Sequence, residues 1–249
     1  MTSWTLVVCE GIHDQKAIAA LLRMCGGWRE PDKVPSKLPV PLRETYPQPG
    51  TFGKGNQPTP DYLLKSGRYF VIRAMGSKDS VLGKTAMDYL GQFEPNAVGA
   101  IVDANDAGVA DREKKFRDVY SQLYAHAADV KAGGVVPGSP DGPALGLWVA
   151  PDNRKPGRMD DALLQAAKRA EPELVDEGKR FVDRVDNNEP GVWSGHRTKA
   201  LLGVVYQTVN PGASLAVSLR DSSCWFDEGL SKIEPFKTLL GFLDKLTGT

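Results

Sequence analysis

Apolar residues in this chain keep two different periods. Short unbroken runs occur at 6–9 (Leu6 to Cys9), 69–75 (YFVIRAM), 97–104 (AVGAIVDA) and 144–153 (ALGLWVAPDN), the pattern of strands covered on both faces. Between them the spacing lengthens. Ile18, Leu21, Leu22 and Cys25 sit at i, i+3, i+4 and i+7, one stripe of a helix. Val81, Leu82, Met87 and Leu90 mark a helix after Gly-Ser-Lys-Asp; Phe116, Val119, Tyr120 and Leu123 mark an amphipathic helix over 111–128; another runs from Met159 to Ala170. Strand and helix alternate, which predicts an α/β fold with right-handed crossovers and about four mainly parallel strands flanked by helices. Beyond residue 170 helical patterns recur at 173–186, 197–208 and 233–246 around one short segment, SLAVSL. No linker composition sets this part off, so 1–170 reads as an α/β core and 171–249 as a helical C-terminal extension packed on it.

The regular pattern is interrupted from Trp28 to Pro60, where eight prolines break every apolar repeat. A long insertion of this kind is often a lid or a binding segment. Between Trp28 and Arg73 the chain carries eight Lys/Arg against four Asp/Glu, a local +4. That excess suits either a solvated loop or a flap that faces phosphates.

Charge and composition narrow the classes. The 249 residues are 41% hydrophobic and 25% charged with a formal net charge of zero, so there is no global basic field, and only local patches remain for a polyanion. The three cysteines (Cys9, Cys25, Cys224) show no CxxC spacing, and the three histidines (His13, His126, His196) build no zinc ligand pattern. A reducing cytoplasm fits this usage. No basic leader and no apolar run of membrane-spanning length is present, so a soluble, cytoplasmic protein without a membrane partner is expected. Residues 75–85, MGSKDSVLGKT, imitate a phosphate loop, but Lys78 stands where its first glycine belongs; a turn capped by Ser77 or Asp79 is the better reading.

Candidate chemistry gathers at strand ends. Glu10 terminates the first apolar run and Asp14 follows one helical turn later; Asp103 ends the third run, with Asn105 and Asp106 beside it; Asp152 ends the fourth, and Asp160 and Asp161 open the next helix. In a parallel sheet these ends share one rim, where ligands collect. Acids crowded there repel one another unless a cation is present, and an oxygen-only donor set suits Mg²⁺ or Mn²⁺. Each acid also has a structural explanation. Asp14, Asp160 and Asp161 suit helix N-termini, Asp103 to Gly108 suits a turn, and Asp152 with Asn153 suits an Asx turn. Glu10 and Asp103 stand apart because each directly ends a buried run. His13 is a candidate general base or a surface histidine on the first helical turn.

CEGIHDQKAI, IVDANDAG and LWVAPDNRKPGRMDDALL, in this order, resemble the TOPRIM domain, the metal-binding α/β module of topoisomerases, bacterial primases and OLD-family nucleases, and above all short stand-alone TOPRIM proteins allied to the OLD group. HRTKALLGVVYQTVNPGASLAVSL resembles the C-terminal part of those proteins. The match runs in pieces over 5–24, 69–108 and 145–220. It departs from the family where the second acid of the Asp-x-Asp motif is Asn105, with Asp106 displaced by one.

The resemblance implies a Rossmann-like TOPRIM sheet and metal-dependent phosphoryl transfer on nucleic acid, DNA or RNA, by a nuclease, and by association with the OLD group a place in a defence system. It implies a Mg²⁺ or Mn²⁺ site drawn from Glu10, Asp14, Asp103, Asn105, Asp106, Asp160 and Asp161, with Glu10 as base or ligand and Lys199 stabilising charge at the transferred phosphate. The alternatives are a non-catalytic metal- or nucleic-acid-binding module that works with a partner such as an ATPase, and a small-molecule phosphotransferase or phosphatase.

Overall fold

A computed structural model of the chain describes residues 3–32, 38–39, 59–140, 142–220, 225 and 227–248. Most of the proline-rich insertion, and with it the expected basic flap, lies outside the described residues.

The strands are β1 (Trp4–Cys9), β2 (Asp61–Lys65), β3 (Arg68–Ala74), β4 (Ala97–Asp103), β5 (Gly134–Val136) and β6 (Ala144–Ala150). They form one sheet in the order β2-β3-β1-β4-β6-β5. The four runs expected from the sequence are its parallel centre, β3-β1-β4-β6. The sheet is wider than that expectation by two antiparallel edge strands, β2 on β3 and β5 on β6. Edge strands are half-covered and short, so neither produces the continuous apolar run that marks a central strand. β2 joins β3 through Ser66 and Gly67, both at positive φ (50° and 78°), the tight turn whose twist suits a hairpin.

Alternate residues of the central strands feed two cores. Val7 and Cys9 of β1, with Phe70 and Ile72 of β3, face one side, while Trp4, Leu6, Val8 and Val71 face the other. The first face is covered by α1 (Ile12–Cys25), α5 (Met159–Ala170), α6 (Pro172–Asn188), α7 (Arg197–Val209), α8 (Leu215–Arg220) and α9 (Glu234–Thr247). The second is covered by α2 (Lys78–Val81), α3 (Lys84–Leu90) and α4 (Gly108–Tyr120). Ile18, Leu21 and Leu22 of α1 are fully buried, and each such side chain contributes about 1.5–3 kcal/mol.

Three local expectations change. The helix expected after Gly76 is two short ones parted at Gly83; Ser77 caps the first by accepting from the Ser80 N–H at 3.1 Å. The helix expected over 111–128 stops at Tyr120, leaving Leu123 42% exposed, because the chain turns there and buries Ala127 and Val130 instead. SLAVSL lies in a helix, α8, from Leu215 onward, which packs Leu215 and Leu219 against α1's side of the core.

α9 reaches the centre of the sheet through two glycines. Gly99 of β4 and Gly146 of β6 are register partners. A Cβ at Gly99 would lie 2.6 Å from Leu246, and one at Gly146 would lie 2.7 Å from Phe242. The missing side chains form the trough in which α9 lies.

The topology also fixes where a ligand would bind. β1 passes the chain to α1 on the first face; its neighbour β4 passes it to α4 on the second. Adjacent strands whose exits diverge leave a crevice beyond their C-terminal ends. Glu10 follows β1 and Asp103 ends β4, so both stand at that crevice.

Candidate functional site

Glu10 is held where the two strands part: its Oε1 accepts from the Asp103 backbone N–H at 2.8 Å. Asp14, one turn into α1, accepts from the Gly11 N–H through Oδ2 at 2.8 Å. Asp103 Oδ1 accepts from the Met159 N–H at the start of α5, also at 2.8 Å, which links the end of β4 to the helix that carries Asp160. Each of the three carboxylates thus commits one oxygen to a backbone N–H. Among the described residues, the other oxygen of each makes no further hydrogen bond.

A buried arginine steadies the loop after β4. Arg112 of α4 is 1% exposed; its Nε donates to the Asp103 carbonyl at 2.9 Å, its Nη2 to that of Ala104 at 3.2 Å, and its Nη1 to Asp111 at 2.8 Å. The sequence gives little sign of this, since Arg112 lies in a charged stretch that reads as a solvated face.

The electrostatics follow from burial and crowding. Burial raises the Glu10 carboxyl above the usual range. Asp14 is pushed up to about 7, by burial first and then by the charges of Glu10 and Asp160, although Lys199 pulls it back. Asp103 is pushed up to about 8, by burial and then by Asp14 and Glu10. Burial and Lys199 depress His13, which keeps it neutral near pH 7 beside Asp160. His13 is half-buried next to these acids rather than on an open surface.

Lys199, in the first turn of α7, has its Nζ 4.0 Å from Asp160 Oδ2. Asp160 itself is buried, at 9% exposure. Glu10, Asp14, Asp103, Asp160, His13 and Lys199 therefore form one electrostatic unit on the rim.

The other expected acids go elsewhere. Asp161 accepts from the Arg158 N–H at 2.8 Å and from the Thr198 hydroxyl at 3.0 Å, so both its oxygens are taken by local structure. Asp152 closes an Asx turn by accepting from the N–H groups of Arg154 and Lys155, both at 3.0 Å. Asn105, at φ 50°, accepts from the Arg158 Nε–H through its Oδ1 at 2.8 Å. Asp106 is exposed, on the wall of a cavity of about 280 Å³ that Arg158, Asp160, Thr198 and Lys199 also line.

Among the described residues, no three His, Cys, Asp or Glu side chains are drawn together as tightly as a bound ion would hold them. The chemistry of the donor set still fits a hard cation: all-oxygen, acidic, at a sheet crevice, with one uncommitted oxygen on each of Glu10, Asp14 and Asp103.

Fold and rim together define an α/β protein with an acidic strand-end site at a topological switch point. The chain belongs to the family described as "Protein of unknown function (DUF3226)", whose model matches residues 5–246. It is similar in fold to the crystal structure of hypothetical protein PH0156 from Pyrococcus horikoshii OT3, with a TM-score of 0.50 and 16% identity over 98% of this chain and 95% of that one. No curated protein matches. Among the described residues, no helix is long and apolar enough to cross a membrane.

Proposed function

We propose that this chain is a metal-dependent phosphoryl-transfer enzyme acting on nucleic acid, a TOPRIM-type nuclease. The observation that carries the reading is the crowding of Glu10, Asp14 and Asp103 at the switch point, where burial raises all three carboxyls, Asp14 and Asp103 the most, and a cation would favour their ionised forms. Glu10, Asp14 and Asp103 would hold Mg²⁺ or Mn²⁺, with Asp160 at the margin; when bound, the ion supplies Lewis acidity and lowers the pKa of an attacking water.

The chain's own groups do the rest. Glu10 is oriented by the Asp103 N–H and is the candidate base. Lys199 stands beside Asp160, where an ammonium stabilises negative charge building on a phosphoryl oxygen. Neutral His13 is available to exchange a proton with the same region.

A second reading, a metal- or nucleic-acid-binding module that needs a partner such as an ATPase, is favoured by Asn105, which replaces an expected acid and commits its oxygen to Arg158. Nicking of supercoiled plasmid and cleavage of single-stranded DNA and RNA with Mg²⁺ or Mn²⁺ tests the proposal, using Glu10→Gln and Asp103→Asn as controls and a chromogenic phosphate ester as the small-molecule comparison. Cleavage that requires metal and is lost in both variants supports the nuclease. Metal binding without cleavage moves the reading to the partner-dependent module, and turnover of the ester alone moves it to a phosphatase.

A further inference from the structure

The acidic rim does not account for Arg158. Its Nε donates to Asn105 Oδ1 at 2.8 Å and its Nη1 to the Gly195 carbonyl, both neutral acceptors. Among the described residues no carboxylate pairs with its guanidinium. The neighbouring cations are already matched: Arg197 pairs with Asp183 and Asp186, and Lys199 lies by Asp160. Arg158 is half-buried and lines the cavity of about 280 Å³ together with three acids, of which Asp161 is committed to the Arg158 N–H and Thr198, Asp160 lies by Lys199, and Asp106 is exposed on the wall. An arginine stays charged at any working pH. Positive charge drawn partly out of water and left unmatched is costly until an anion completes it.

Asn105 explains how the charge is kept unmatched. Its backbone takes the left-handed conformation that asparagine tolerates, and its N–H donates to the Gly157 carbonyl at 2.8 Å. Asn105 and the residue before Arg158 are thereby bridged, and the neutral amide is held on the guanidinium. An aspartate at 105 would hold the same geometry but would neutralise Arg158 from within the protein. The asparagine orients the arginine without discharging it.

The geometry points to a phosphate-binding subsite in this cavity, with Arg158 as the anion-binding residue and Asn105 as its positioning residue. The cavity sits at the lower end of the range for ligand pockets, enough for one phosphate group and its ester substituent but not for a duplex. The first turn of α7, with Thr198 and Lys199, lines another side, and the helix dipole there adds positive potential. The subsite rests on the phosphoryl-transfer reading for its biological ligand, a nucleic-acid phosphate next to the one at the rim or at a strand terminus.

Calorimetric titration of the full chain with pyrophosphate, with chelator and no divalent cation, tests the subsite separately from catalysis. The wild type should bind. Arg158→Gln and Asn105→Asp should each weaken binding by at least about tenfold, the loss expected for a charge-assisted contact. Arg158→Lys should retain part of the affinity, and Lys114→Gln, at an exposed lysine of α4, should retain all of it. Thermal melts by circular dichroism establish that each variant is folded. Repeating the titration with a 5′-phosphorylated oligonucleotide and its unphosphorylated twin separates the two sources: an Arg158-dependent preference for the first assigns a terminal phosphate, and equal Arg158-dependent binding assigns an internal one.

Failure of pyrophosphate to bind the wild type overturns the subsite, as does an Asn105→Asp variant that binds as tightly as the wild type. If Asn105 were instead a metal ligand, Asn105→Asp would strengthen Mg²⁺ binding and leave pyrophosphate unaffected. Pyrophosphate binding in a chain that cleaves nothing retires the nuclease and leaves the subsite standing.

Discussion

Replacing Asp103 by asparagine removes one charge from the rim while keeping its oxygen, which can still accept from the Met159 N–H as Asp103 Oδ1 does at 2.8 Å. In the folded chain burial and the neighbouring Asp14 and Glu10 push the Asp103 carboxyl up to about 8, whereas in the unfolded chain it has its ordinary value of about 3.9. Between these values the folded state holds a proton that the unfolded state has released, so stability falls as pH rises and levels off above the folded value. The full shift would correspond to more than about 5 kcal/mol at 1.36 kcal/mol per pH unit. Asp103 is only half-buried, so solvent screening brings the expected change between about pH 5 and pH 8.5 down to about 2–4 kcal/mol. Metal-free Asp103→Asn should therefore gain on the wild type by that amount across the same interval, a relative rise in Tm of roughly 5–15 °C for a chain of this size. Added Mg²⁺ should reverse the order by stabilising the wild type more than the variant. Melts at several pH values, with chelator and with Mg²⁺, measure both effects. A gap that does not change with pH would refute the claim that repulsion and burial at this rim hold the proton.

Three other outcomes follow from the same geometry. Lys199→Ala should raise the His13 pKa, read from its imidazole resonances by NMR, and within the proposed reaction should lower kcat by about 10²- to 10³-fold with a smaller effect on KM. Arg112→Leu should cost about 3–5 kcal/mol in chemical denaturation, because it removes the side-chain donor to the Asp103 carbonyl, leaves the Ala104 carbonyl only the Gly108 N–H, and takes the buried guanidinium from Asp111. Gly99→Ala and Gly146→Ala should each cost about 1–3 kcal/mol, since the new Cβ lands on Leu246 or Phe242; an unchanged melting temperature would mean that α9 does not lie in the trough.

How much of this was legible depends on the range over which each feature is determined. The four central strands announced themselves because both their faces are buried, so their sequences are apolar throughout; β2 and β5 did not, because an edge strand need satisfy only one neighbour. Glu10 and Asp103 were visible for a related reason: a carboxylate that ends a buried run is conspicuous against it. The sorting of the remaining acids was not visible. Asp160 faces the rim and Asp161 is consumed by Arg158 and Thr198, a distinction between adjacent residues that depends on where α7 lies. Arg158 and Asn105 are 53 positions apart and meet only because the backbone bridges Asn105 to Gly157. The resemblance drew attention to Asn105, but nothing in the sequence pointed to Arg158 as its partner.

The glycine trough also bears on the order in which the molecule can be completed. During synthesis every strand of the sheet leaves the ribosome before residues 234–247. Until they arrive, the strip over Gly99 and Gly146 is a furrow of bare backbone flanked by apolar side chains, open to any passing hydrophobic segment. A chain stopped before Glu234 should therefore bind a dye such as ANS and sediment with chaperones, whereas a separately supplied peptide of residues 234–247 should restore the soluble form. The last helix on the sheet would then act as a stopper that the nascent protein has to wait for.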